Sequence, residues 1–589
     1  MAHDLIVRGG LVVDGTGAPA RTADLAVSDG LIVGVGKDLG TARRVIDADG
    51  ALVTPGWVDA HTHYDGQVTW DDRLEGSATN GVTTIVMGNC GVGFAPVEPG
   101  AQAVLVDLME GVEDIPGAAL DEGIPWGAWE SFPEYLAVLD ERRWSLDVGA
   151  LLPHGALRLY VMGERAINQE PATAEDLARM GVLAEEAIRA GALGVSTSRI
   201  IGHRAMSGFM VPGTFAADDE LLALALAVRA GGGGILQAVP AGGVRDLDPS
   251  AEHRSVFDEL RLLGRASREA RIPVTFSMLQ VRDAPTLWRD ILAAADAENS
   301  AGADLAPMVA PRAITLLSTL AGHHLFQRRP TYLRLSGLPH DELVRQLRDP
   351  AVRAAILSET DVPDPRPGSM ETVLPFLLGS GLTSTFTLRD PINYEPALDG
   401  SIAAQAAAAG IDPSALCYDL LLEGEGTAVL VCLGSGYVDG DLEASRIMLV
   451  DRNTVPGLSD AGAHVSFVCD MSSPTFMLTH WVRDRVRGAR LPLEFVVAKA
   501  TSRVAQLFGL RDRGTIEVGQ RADLNVIDFD ALHIGSPVLR HDLPAGGRRY
   551  VQPSTGYLAT IVGGAPTREH DEDTGARPGR VARRAVSAL

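Results

Sequence analysis

Lysine is almost missing from this chain: Lys37 and Lys499 are the only two in 589 residues, so nearly all of its positive charge is arginine. Cysteine is scarce too. Cys90, Cys417, Cys432 and Cys469 stand far apart with no CxxC spacing, which argues against a disulfide scaffold. There is no basic run, and the formal net charge is -25. That balance excludes the usual electrostatics of nucleic-acid or anionic-membrane binding. No apolar run reaches the roughly 18 residues a membrane helix needs. The opening MAHDLIVRGGLVVDG lacks the charged-then-apolar pattern of a secretion signal. These absences predict a cytoplasmic protein with a small-molecule substrate, no nucleic-acid partner and no membrane partner.

What is present suits an enzyme. Hydrophobic residues make up 46% and charged residues 22%, ordinary values for a globular chain. The length exceeds what one core organises, so two or three lobes are expected. Up to about residue 55, short β-runs alternate with Gly-Gly and Asp-Gly turns, as in DLIVRGGLVV and AVSDGLIVGVG. The far end repeats that style in GTIEVGQRADLNVIDFD and GYLATIVGGAPT. Between about 56 and 510 the rhythm changes to short apolar runs separated by helical stretches, the mark of βαβ units.

Eight such runs are placed as parallel strands: 52–61, 81–90, 146–154, 191–199, 233–239, 272–280, 303–312 and 454–464. A helix is expected after Thr173, with Thr173 as N-cap and Asp176 closing a capping box. The fold class is therefore α/β: a (β/α)8 TIM-like barrel at 56–510 flanked by a small β-sandwich from both chain ends, 1–55 and 511–569. Residues 313–453 are too many for one connection and read as an insertion over the site, with Pro363, Pro365 and Pro367 in a loop. The last stretch, 570–589, is polar and reads as a loose tail.

The strongest chemical signal is DAHTHYDGQ, which puts His61 and His63 at the end of an apolar strand. Residues i and i+2 of a strand point to one side, so two imidazoles there can share a metal. In a parallel barrel that end carries the active site.

ALVTPGWVDAHTHYDG resembles the opening of the amidohydrolase superfamily, and GVTTIVMGNCGVGFAPV resembles its N-acyl-D-amino-acid deacylase (D-aminoacylase) branch. GLSDAGAH is similar to the last-strand aspartate motif, and DLNVIDFD to the returning sandwich strands. The resemblance spans essentially the whole chain. It implies that Cys90 ligates metal through its thiolate and that Asp460 both ligates and moves a proton. It implies hydrolysis of an N-acyl-D-amino acid, or a related N-acyl compound, by metal-activated hydroxide. A homo-oligomer is implied as well. His203, in STSRIIGHRAMSG, is placed as a catalytic or substrate-contacting group. His464 is placed as support behind Asp460, and Glu113 and Asp114 as pocket walls.

Two departures matter. Neither lysine can supply a carboxylated fourth-strand bridge between two metals. The branch also carries histidines at the ends of strands five and six, where this chain has Gln237 and Gln280. An amide oxygen is a poorer zinc ligand than imidazole. One zinc on His61, His63, Asp460 and Cys90 is therefore favoured over two. The competing reading completes a second site from His154, His203, His323 or His324. Arg158, Arg199 and Arg204 follow strand ends, where a guanidinium suits a substrate carboxylate. Arg199, Arg158, His154, Gln237 and Gln280 are thus the substrate-side candidates. The alternatives are an amidohydrolase of another amide, carbamate or cyclic amide, and a ligand-binding relative without catalysis.

Overall fold

The computed structural model describes residues 2–243 and 253–584. The N-terminal strands are β1 (His3–Val12), β2 (Arg21–Ser28), β3 (Leu31–Gly36), β4 (Ala42–Asp47) and β5 (Leu52–Pro55). The next three, β6 (Trp57–Asp59), β7 (Val82–Met87) and β8 (Asp147–Ala150), form a parallel sheet. A second parallel sheet begins with β9 (Leu152–Pro153), β10 (Gly194–Ser198), β11 (Ile235–Val239), β12 (Val274–Met278) and β13 (Leu305–Val309). The stretch 313–453 then carries β14 (Thr315–Ser318), β15 (Thr385–Thr387) and β16 (Leu430–Leu433), a small antiparallel sheet with its own apolar cluster around Phe326, Ile356 and Tyr418. The second parallel sheet ends on β17 (Val455–Pro456). Finally β18 (Leu524–Ile527) and the strands Tyr557–Val562, Ala565–Glu569 and Glu572–Asp573 return to the N-terminal strands. The two chain ends thus share one nine-stranded mixed sheet, in which β18 lies against β5. The whole is a mixed α/β fold.

The parallel strands are buried along their whole length, as in VTTIVM of β7 and ILQAV of β11. Burial on both faces is why they read as apolar runs rather than alternating ones. The expected helix runs from Ala174 to Ala190. Thr173 caps it in a full box with Asp176, and Gly191 ends it at φ +120°.

Two expectations need correction. The run 52–61 is not one strand. Leu52–Pro55 pairs with β1 and β18, and Trp57–Asp59 pairs with β7. Gly56 is the switch: a Cβ there would sit 2.1 Å from the Thr83 side chain. The end of the chain is not a loose tail through its described part. Gly579 and Val581 bridge to Trp144 and Val148, and Arg583 pairs with Asp140. Residues 585–589 lie outside the described residues.

A buried charge cluster joins the mixed sheet to the parallel strands. Asp147 at the start of β8 takes Arg513 at 2.7 Å and Arg521 at 3.0 Å, and Asp523 faces Arg521 at 3.1 Å. Arg513 also donates to the Thr84 hydroxyl on β7. All four charged groups are buried. Removing one member of such a cluster leaves an uncompensated charge, at a cost of about 3–5 kcal/mol. Arg513→Ala should therefore lower the urea midpoint strongly with the slope unchanged. A midpoint within error of the parent would refute the staple.

Candidate metal centre

His61 and His63 lie in the segment that follows β6, and both turn their rings towards Cys90. Their Nε2 atoms lie 3.4 Å and 3.9 Å from the Cys90 Sγ. The ligand atoms of the three all fall within 4.8 Å of one another, and all three residues are buried. Asp460 Oδ1 stands 3.4 Å from His61 Nε2 and keeps 18% of its side-chain exposure. This is the open side of the cluster. Two imidazoles, a thiol and a carboxylate form a zinc-type donor set.

Cys90 arrives through a turn rather than a strand. Gly88, Cys90 and Gly91 all have positive φ, at +82°, +56° and +71°. A Cβ at Gly88 would lie 2.3 Å from the Leu151 carbonyl, so glycine is required there. Asn89 ties the turn to the first two parallel strands by donating to the Thr62 and Val86 carbonyls.

Glu113, at the end of the helix Gln102–Glu113, sits behind the histidines. Its carboxylate lies 3.4 Å from His63 Nδ1 and 3.6 Å from His464 Nε2. Its carbonyl accepts the His464 backbone N–H. A carboxylate at Nδ1 favours the tautomer with Nε2 free for a metal. The sequence reading gave Glu113 only a place in the pocket wall. Its spacing from His63 carries no local signal, because the contact spans a helix.

The electrostatics suit a divalent cation. Burial, then neighbouring His203 and His464, hold His61 down at about 3. Burial pushes the Cys90 thiol far up, with Glu113, Asp460 and Asp65 adding to it. Glu113 rises for the same reasons, and Asp460 is pushed to about 8 by burial, Asp470 and Asp59. Asp65, buried with an unpartnered Oδ2, rises to about 7. Neutral imidazoles beside reluctant acids are what a bound divalent cation would reverse.

Other sequence candidates are engaged elsewhere. His154 bonds Thr197 at 2.9 Å and Glu220 at 2.8 Å, leaving neither ring nitrogen free. Arg158 pairs with Glu220 at 2.8 Å, and Arg199 with Glu259 at 2.7 Å, all buried. Both guanidiniums were expected to face a substrate carboxylate. Burial instead matches each with an internal one. Gln280 donates to Asp439 at 2.7 Å and accepts from Val438 N, so it holds the insertion rather than facing a substrate. Arg204 donates to the Gly208 carbonyl within its own loop. His203 is partly buried. Its Nδ1 meets the Ser198 hydroxyl at 2.9 Å. Gln237 is buried, and its Oε1 accepts from Cys90 N at 3.1 Å. His323 bonds Gln327 and Ser466, and Asp114 bonds Ser466 as well. His324 packs on Tyr332. Among the described residues no second metal-competent group of three occurs. Lys499 donates to the Asp451 and Thr454 carbonyls, under β17. A cleft of about 340 Å³ between 391–395 and 476–487 holds none of the ligands, and its Glu395 and Arg485 already pair with each other.

The chain belongs to the amidohydrolase family, whose pattern matches residues 44–568. Within it, the chain is similar to the D-aminoacylase of Alcaligenes xylosoxydans xylosoxydans, at 27% identity over 99% of this chain and 98% of that protein. It is also similar to the N-acyl-D-glutamate deacylase of the same organism, at 28% identity over 90% of this chain and 88% of the relative. The fold is shared with a solved N-acyl-D-glutamate deacylase from Bordetella bronchiseptica, complexed with zinc and a phosphonate inhibitor. That match has a TM-score of 0.63 at 23% identity and covers 99% of this chain and 100% of the other. The chain is thus a metal-dependent hydrolase of amide bonds.

The raised acids set a pH dependence for the chelated protein. A carboxyl whose folded pKa exceeds its unfolded one binds more protons when folded, so stability falls as pH rises between the two values. For Asp460 that window runs from about 4 to about 8. Above pH 7 the lowered histidines no longer oppose it. The EDTA-treated protein should therefore lose melting temperature between pH 7 and 8.5, and added zinc should raise it more at pH 8.5 than at pH 7. An equal zinc effect at both pH values would contradict this.

Proposed function

We propose that this protein is a zinc-dependent N-acyl-D-amino-acid deacylase with one metal per chain. The observation that carries the reading is the convergence of His61, His63 and Cys90 on one point, with Asp460 at its open side. The relatives' names supply the substrate class. We also read the two parallel sheets as one closed (β/α)8 barrel, divided as 56–510 with the insertion 313–453, and with the sandwich from 1–55 and 511–569. Leu193 N donates to the Ala150 carbonyl, and Thr62 pairs with Ala461. These contacts support closure at both seams.

Zinc held by His61, His63, Cys90 and Asp460 would polarise the scissile carbonyl and lower the pKa of water to about 7. Asp460 takes the proton from the attacking water. It then delivers that proton to the amine nitrogen as the C–N bond breaks. One product is the carboxylic acid and the other the free D-amino acid. With the Ser198 hydroxyl as the donor to His203 Nδ1, 2.9 Å away, the ring proton would sit on Nε2, from which His203 would donate to the carbonyl oxygen. Glu113, 3.4 Å from His63 Nδ1, is placed to favour the tautomer that leaves Nε2 for the metal. All four cysteines are unpaired, which supports a cytoplasmic setting. The resemblance to D-aminoacylases supports a homo-oligomer.

The test is release of a primary amine from N-acetyl-D- and N-acetyl-L-amino acids by the zinc-loaded protein. The D series should be cleaved. Asp460→Asn should lower kcat/KM by about 10²–10⁴-fold, the range for losing a general acid–base, with zinc still bound. Near-normal turnover by Asp460→Asn, or full activity after complete chelation, would overturn the mechanism.

A further inference from the structure

Cys90 sits in a tight turn beyond β7. It is a non-glycine residue at φ +56°, in a turn between Gly88 and Gly91. Such a conformation persists only when its surroundings hold it. Two side chains from neighbouring parallel strands do so. Ser196 on β10 and Gln237 on β11 are paired across the sheet, so both point to the same side at the same height. The Ser196 hydroxyl accepts from Gly91 N and donates to the Gly88 carbonyl. The Gln237 Oε1 accepts from Cys90 N at 3.1 Å. The backbone on either side of the thiol is thereby clamped.

We infer that Gln237 is a positioning residue for the Cys90 thiolate, acting with Ser196, and that it is not itself a ligand. Its amide orientation is fixed by this contact. With Oε1 turned to the Cys90 backbone, Nε2 is turned away. That Nε2 is fully buried and has no partner. The amide therefore holds the backbone of the turn that aims the thiol at His61 and His63.

The inference rests on the proposed metal centre, and cobalt titration separates the two. Cobalt bound through a thiolate gives a sulfur-to-metal charge-transfer band. The parent protein should bind one cobalt per chain with that band. Gln237→Met keeps the side-chain length but removes the acceptor. It should bind cobalt about 10–100-fold more weakly, the usual effect of losing a ligand's supporting partner, with a reduced band and an unchanged melting temperature for the chelated protein. Gln237→Glu retains an acceptor oxygen at the same reach and should restore the band. Ser196→Ala provides a second reading if Gln237→Met fails to fold, and should weaken the band in the same direction. A Gln237→Met protein with parental affinity and band would overturn the positioning role while leaving the metal centre intact. A parent protein that binds no cobalt would remove the metal centre itself, and this inference with it.

Discussion

The site depends on a shortage of positive charge. Cys90, Glu113, Asp460 and Asp65 are packed around two neutral imidazoles, and no arginine or lysine contributes to the shift of any of them. Buried acids without a counter-ion are costly, and the usual relief is protonation. Here burial pushes every acid towards its protonated form. A divalent ion would relieve all of them together. The cluster is thus a structure whose electrostatics are completed from outside the chain.

The arginines explain how that shortage is kept. Three buried guanidiniums near strand ends are matched to a carboxylate of the chain's own: Arg158 to Glu220, Arg199 to Glu259 and Arg312 to Asp470. At the strand starts, Arg513 and Arg521 share Asp147. A planar guanidinium suits buried pairing better than a hydrated ammonium, which agrees with a chain that has nearly abandoned lysine. The positive charge is thereby fixed in pairs outside the ring of ligands. Asp470, one of these partners, also pushes up Asp460. The pairs that stabilise the frame therefore shape the electrostatics of the site as well.

Much of this was legible in the sequence, and the failures share a cause. His61 and His63 could be read because a two-residue period in a strand is local. The helix after Thr173 was readable for the same reason. All eight apolar runs placed as strands contain parallel strands, although the first one crosses into another sheet at Gly56. The misreadings concern partners distant in sequence. Arg158, Arg199 and His154 follow strand ends and so looked available. Glu220 and Glu259, which engage them, lie 60 or more residues away on helices. Glu113 was undervalued for the converse reason, since nothing near it in sequence announces His63. Gln280 faces the insertion, whose path no periodicity predicts.

The two halves of the ligand set therefore differ in how they are encoded. The imidazoles are placed by the short segment that follows β6, where Thr62 bridges to Ala461. The thiol direction follows from tertiary structure. It needs Gly88 and Gly91 for the backbone, Asn89 to anchor the turn, and Ser196 and Gln237 from two other strands to hold it. The histidine side of the cluster is thus set by neighbours in sequence, directly after β6, and its thiolate side by side chains from two distant strands.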